Sequence, residues 1–182
     1  MASRDLADLT GAMEHKALFI IDYAKKQDTE LLVYCTHRPL REQAYWWRWS
    51  RTTREIQQKI RLYHAAGYAI LAEALESVGP VDGSIGLHKT YACAGESWHQ
   101  FGEAFDAVPL VGGKCAWTDP DRFAVYSAAC KEAEVTWGGD FKRLNDSPHA
   151  QLRESHNPLA TLSPDEVEEA LDSLILFSDE EY

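Results

Sequence analysis

A mixed fold of helices and short strands in one domain is what this chain of 182 residues predicts, and three observations lead there. Hydrophobic residues make up 45% and aromatics 11%, enough for a real core and too much for a disordered chain. Apolar residues recur at helical spacing over several stretches, while two short apolar runs bounded by turn residues read as strands. No internal repeat or low-complexity linker divides the sequence, so residues 1–182 are expected to form a single domain.

The elements follow in order. Leu6, Leu9, Met13, Ala17, Ile20 and Ile21 predict a first helix ending near Gln27. Leu31 to Thr36 reads as a buried strand. Pro39 disfavours a helical backbone at Arg38, so the strand ends there and a helix follows. Residues 44–78 read as mostly helical, with Ile56, Ile60, Tyr63, Ile70, Leu71, Ala74 and Leu75 as core candidates and a break at Gly67. Gly79-Pro80-Val81-Asp82-Gly83 is a turn signal. Phe105 to Leu110 is a second strand, Gly112-Gly113 another turn, and Asp121 to Glu134 a helix. Ser163-Pro164-Asp165-Glu166 is a capping box with proline at the first helical position. Val167, Ala170, Leu171, Leu174 and Ile175 then make the apolar stripe of a tail helix at about 164–177, which needs a surface to dock on.

The 18 basic and 29 acidic residues leave a formal charge of −11, which argues against a general affinity for nucleic acid or anionic membranes. Positive character gathers between Arg41 and Arg61, around Tyr45-Trp46-Trp47-Arg48-Trp49-Ser50-Arg51. That segment is either an amphipathic helix with tryptophans inward and arginines wet, or a wall beside a binding cleft. No apolar run is long enough for a membrane span, and the N-terminus shows no signal-peptide core, so synthesis in a cytoplasm is expected. Cys35, Cys93, Cys115 and Cys130 match no zinc-ribbon spacing and are expected as thiols, mostly buried.

Three residues carry the chemistry. His99, Asp106 and His149 supply two imidazoles and a carboxylate, the ligand set of a catalytic zinc ion that keeps a fourth position for water. Seven residues separate His99 from Asp106, so an unbroken strand would turn them to opposite faces, and Gly102 supplies a place to bend. Asp146 stands three before His149; one tight turn stiffened by Pro148 brings both into one pocket, with Asp146 available as a base. Each residue has an ordinary alternative: a hydrogen-bonded or surface histidine, an edge carboxylate at Asp106, a turn cap at Asp146.

Together these residues resemble a known family. Ser97-x-His99-x-x-Gly102-x-Ala104-x-Asp106, then Trp137-Gly138-Gly139-x-Phe141, then Asp146-x-x-His149 is similar to the zinc D-alanyl-D-alanine carboxypeptidase and L-alanyl-D-glutamate endopeptidase family, which includes phage endolysins. Upstream, Arg38 and Gln43 resemble its Arg-x-x-x-x-Gln segment, and Ser3-Arg4-Asp5-Leu6-x-x-Leu9 resembles the start of its endopeptidase branch. Residues 44–89 have no counterpart and stand as a helical insertion.

The resemblance implies an α+β fold of the Hedgehog/D,D-peptidase type, with a small, mostly antiparallel sheet flanked by helices and zinc in a cleft. It implies zinc ligands His99, Asp106 and His149, and Asp146 as the catalytic acid and base. Arg38 is expected to stabilise negative charge on the scissile carbonyl, with Ser97 and Gln43 on the substrate side. The activity implied is zinc-dependent hydrolysis of bacterial peptidoglycan stem peptides, as an endolysin cutting between L-Ala and D-Glu. A D-alanyl-D-alanine carboxypeptidase or dipeptidase is the alternative, and a non-catalytic zinc-containing wall-binding module the second. Such a protein would be made in the host cytoplasm and act on the wall, and a monomer is expected.

Overall fold

The computed structural model describes residues 1–49, 51–78, 89–142 and 145–175, without the side chains of 173–175. The turn expected at 79–83, the acidic end at 179–182 and the side chains of Leu174 and Ile175 lie outside the described residues. The chain forms two compact units from interleaved segments. A sheet unit comprises Ala2–His37 and Gly102–Glu154; a helical unit comprises Met1, Arg38–Phe101 and Ser155–Tyr182.

In the sheet unit, α1 (Gly11–Lys26) begins where the Thr10 hydroxyl accepts the Met13 N–H at 3.4 Å. The helix expected from Leu6 is therefore split, with Leu6–Asp8 forming a separate 3-10 turn capped by Asp5. The physical reason is Thr10, whose own N–H donates to the Gly102 carbonyl at 2.9 Å instead of continuing a helix. Met13, Ala17, Ile20 and Ala24 bury one face of α1 completely. Burying a side chain such as Ile20 contributes about 1.5–3 kcal/mol, so this face holds the helix more firmly than propensity does.

Strand β1 (Glu30–Cys35) pairs antiparallel with β2 (Ala104–Val111). Gly112-Gly113 turns β2 into β3 (Lys114–Cys115). Asp119 caps α5 (Pro120–Glu132), and β4 (Thr136–Trp137) and β5 (His149–Gln151) complete the sheet. The order is β1-β2-β5-β4 with β3 beside β2, and every pairing is antiparallel. Helices α1 and α5 cover the sheet around Ile20, Phe105, Val108, Tyr126 and Ala150. The α+β class is thus observed, and β2 is its central, buried strand.

The helical unit contains α2 (Leu40–Arg48), α3 (Thr53–Ala66), α4 (Ala69–Ser77) and α6 (Pro164–Ile175). Thr52 and Glu55 close a capping box on α3, and the expected break falls at Gly67. Ile56, Tyr63, Leu71 and Leu75 are buried, while Ile60, Ile70 and Ala74 are half-buried. Ser163 and Glu166 form the second box. Helix α6 packs on the 3-10 turn Trp98–Phe101 with Val167 and Leu171 buried, so the tail docks on its own chain.

The basic aromatic segment takes neither of its expected forms cleanly. Trp47 is buried, but Arg48 donates to the Leu75 carbonyl at 2.5 Å and Arg51 lies 4.9 Å over the Trp47 ring. Both arginines are bound to their own unit. None of the four cysteines forms a disulfide; Cys35, Cys93 and Cys130 are buried and Cys115 is exposed. Burial pushes the Cys93 and Cys130 thiols up to about 12. Among the described residues no helix is long and apolar enough to cross a membrane.

Candidate metal centre

Asp106 stands in β2 directly opposite His149 of β5. Paired residues of adjacent strands share a face, and here the imidazole Nδ1 lies 3.0 Å from the Asp106 Oδ1. Asp106 is 7% exposed and His149 8%, so both polar groups have left bulk water and need mutual or ionic compensation.

The other ring nitrogen defines what fits between them. His149 Nε2 lies 3.0 Å from the Gln151 Oε1, and the Gln151 amide NH2 donates to the Arg153 carbonyl at 2.5 Å. Gln151 therefore offers its oxygen to the ring at Nε2, and Nδ1 faces the carboxylate oxygen of Asp106 at 3.0 Å. An imidazole nitrogen and a carboxylate oxygen, oriented by an amide behind the ring, suit zinc.

The loop before His149 is built from the Trp-Gly-Gly stretch. Asp146 N–H donates to the Gly138 carbonyl and His149 N–H to the Asp146 carbonyl, both at 3.0 Å, which closes the expected turn. Gly138 is required by contact: a Cβ there would stand 2.5 Å from the Asp146 carbonyl oxygen and 2.9 Å from the His149 Cβ. Trp137 Nε1–H donates to the Ser147 carbonyl at 2.7 Å. The Pro148 carbonyl accepts from the Ala107 N–H at 2.9 Å and the Tyr126 hydroxyl at 3.1 Å. Burial raises the Tyr126 pKa, so its hydroxyl keeps the proton it donates. The backbone on both sides of His149 is thus clamped, while Asp146 is exposed.

The remaining sequence candidates fall in the helical unit. His99 is buried in the 3-10 turn Trp98–Phe101, and its carbonyl accepts the Arg38 N–H at 3.1 Å. Ser97 opens that turn, its carbonyl accepting the Gln100 N–H. Gln43 is fully buried at the centre of a polar mesh. Its Oε1 accepts from Arg38 Nη1 at 2.9 Å and from Gln100 Nε2 at 3.3 Å, and its Nε2 donates to the Ala92 carbonyl at 2.6 Å. Arg38, Gln43, Ser97 and His99 are therefore gathered within one unit. The bend after His99 occurs at Gly102, which opens the sheet unit's second segment with φ +62°.

Sequence reasoning missed Gln151 and Tyr126. Gln151 follows His149 by two residues on β5, a spacing that puts both on one face and was a usable signal. Tyr126 lies far away in sequence and gave none.

Residues 92–152 match the model of the peptidase family described as D-alanyl-D-alanine carboxypeptidase. No curated protein matches the chain. Among solved structures, the Serratia marcescens L-Ala D-Glu endopeptidase ChiX aligns with 20% identity over 84% of this chain and 89% of that chain, at a TM-score of 0.45. The resemblance read from the motif is borne out across the segment that contains Ser97, His99, Asp106, Asp146 and His149, and with it the reading of the chain as a metallopeptidase.

Proposed function

We propose that this chain is a zinc-dependent peptidoglycan peptidase of the endolysin type that hydrolyses the bond between L-Ala and D-Glu in stem peptides. The reading is carried by one observation: the family-matched segment pairs Asp106 with His149 at 3.0 Å, three residues after an exposed Asp146. His99, Asp106 and His149 are the proposed metal ligands. When bound there, zinc would supply Lewis acidity to the scissile carbonyl and to the attacking water.

The protein's own groups do the rest. Asp146 takes the proton of the attacking water and returns it to the leaving amine. Arg38 stabilises the negative charge that develops on the carbonyl oxygen, a task suited to a permanently charged guanidinium. Gln43 serves the substrate side through Arg38, whose guanidinium it holds, and Ser97 hydrogen-bonds the substrate backbone.

Digestion of purified peptidoglycan followed by mass analysis tests the bond. Cleavage at L-Ala–D-Glu yields fragments with a new D-Glu amino terminus. Release of free D-Ala instead would establish the carboxypeptidase or dipeptidase reading. Stoichiometric zinc with wall binding and no new termini would leave only the binding module.

A further inference from the structure

We propose that a cavity in the sheet unit, lined by the indoles of Trp117 and Trp137, is a subsite for the N-acetylated sugar to which the stem peptide is attached. This rests on the reading of the chain as a peptidoglycan peptidase and names the part of its substrate that precedes L-Ala. The cavity follows from the pattern on α5. Pro120, Phe123, Ala124 and Ser127 stand at helical spacing on one face of that helix. Phe123 turns into the core and is 6% exposed. Ala124 and Ser127 are too small to fill the space beside it. A hollow of about 470 Å³ remains, lined also by Trp117 and Trp137. Small-ligand sites span roughly 300–1,000 Å³.

Both indoles are held in place. Trp137 Nε1–H donates to the Ser147 carbonyl at 2.7 Å. Gly139 makes room for the ring, since a Cβ there would stand 2.2 Å from the Trp137 Cη2. Trp117 meets the Tyr34 ring edge-on, with centroids 5.5 Å apart. It nevertheless stays 54% exposed, a large apolar side chain left open to solvent.

The lining selects the ligand. Among the described residues no ionisable side chain lines the cavity, and its polar side chains are the hydroxyls of Thr118, Ser127 and Ser147. A charged ligand would lose water there without gaining a partner. A sugar ring finds what it needs: aromatic faces for its C–H groups, and hydroxyls for its own hydroxyl and acetamide groups. In peptidoglycan that ring is the muramoyl residue, joined through its lactyl group to the amino end of L-Ala. Position agrees. Ser147 lines the cavity and belongs to the turn from Asp146 to His149. A substrate cut after L-Ala carries its sugar one residue before the scissile bond.

Steady-state kinetics on a matched pair of stem peptides tests the subsite, one capped by N-acetylmuramoyl and the other by acetyl. The wild type should show an about tenfold lower KM for the muramoyl peptide. Trp117→Ala removes one indole and Ala124→Trp fills the hollow; each should bring the two KM values together. Equal KM values in the wild type overturn the proposal while leaving the peptidase reading intact. A preference that survives both substitutions also overturns it. Cleavage of neither peptide by the wild type removes the endopeptidase reading. In that case, or should a variant not fold, binding to the wild type decides. Titration with N-acetylmuramic acid amidated at its lactyl carboxyl should shift the indole N–H NMR signals of Trp117 and Trp137 and leave that of buried Trp98 in place. Absence of those shifts at millimolar sugar refutes the subsite.

Discussion

The sheet unit and the helical unit hold their polar residues by different physics. In the sheet unit, Asp106 and His149 face each other because β2 and β5 are in register, and Gly138 lets the chain approach closely enough to clamp the turn. In the helical unit, Arg38 and Gln43 come from a loop and a helix start, and a mesh of side-chain and carbonyl bonds holds them. Register is all or none, because a slip of one residue reverses a face. A hydrogen-bond mesh is graded, because each bond contributes about 0.5–1.5 kcal/mol and can be lost singly. Substitutions in the sheet row should therefore act on metal binding, and those in the mesh on stability as well as on the roles proposed for Arg38 and Gln43.

The largest expected effect tests the row itself. His149→Ala should reduce bound zinc to background by elemental analysis and abolish hydrolysis; undiminished zinc would remove His149 from the ligand set. Next, Asp146→Ala should retain its zinc yet lose about 10²–10⁴-fold in turnover, followed by mass-resolved digestion. Near wild-type rates would displace Asp146 as the base.

Gln151→Leu removes the amide that meets His149 Nε2 and should weaken zinc affinity about 10–100-fold in a chelator competition. In the mesh, Gln43→Leu leaves buried donors and acceptors without this partner and should destabilise the protein by about 1–3 kcal/mol in urea unfolding. An unchanged midpoint would mean the mesh is not holding the unit. The smallest effect belongs to an exposed cap: Thr52→Ala should cost about 1 kcal/mol of stability by the same measurement.

Much of this was legible in the sequence because it depends on near neighbours. The capping boxes at Thr52–Glu55 and Ser163–Glu166 and the break at Gly67 involve residues within a few positions of one another. So does the turn from Asp146 to His149. The first helix was misjudged at its start because Thr10 is bonded to Gly102, a partner 92 residues away that no local pattern reveals. The basic aromatic segment was unresolved for a similar reason: Arg48 finds its acceptor on Leu75, in another helix.

By itself, then, the sequence determined most of the helical stretches, the turn from Asp146 to His149 and the motif naming His99, Asp106, Asp146 and His149, since periodicity, capping and tight turns are short-range. Only the tertiary structure decided which side chain stands beside Asp106 and which nitrogen of His149 faces it. Those choices depend on a bulge in β1 and on the pairing of residues 35, 106 and 149, distant in sequence and joined only by the register of three strands.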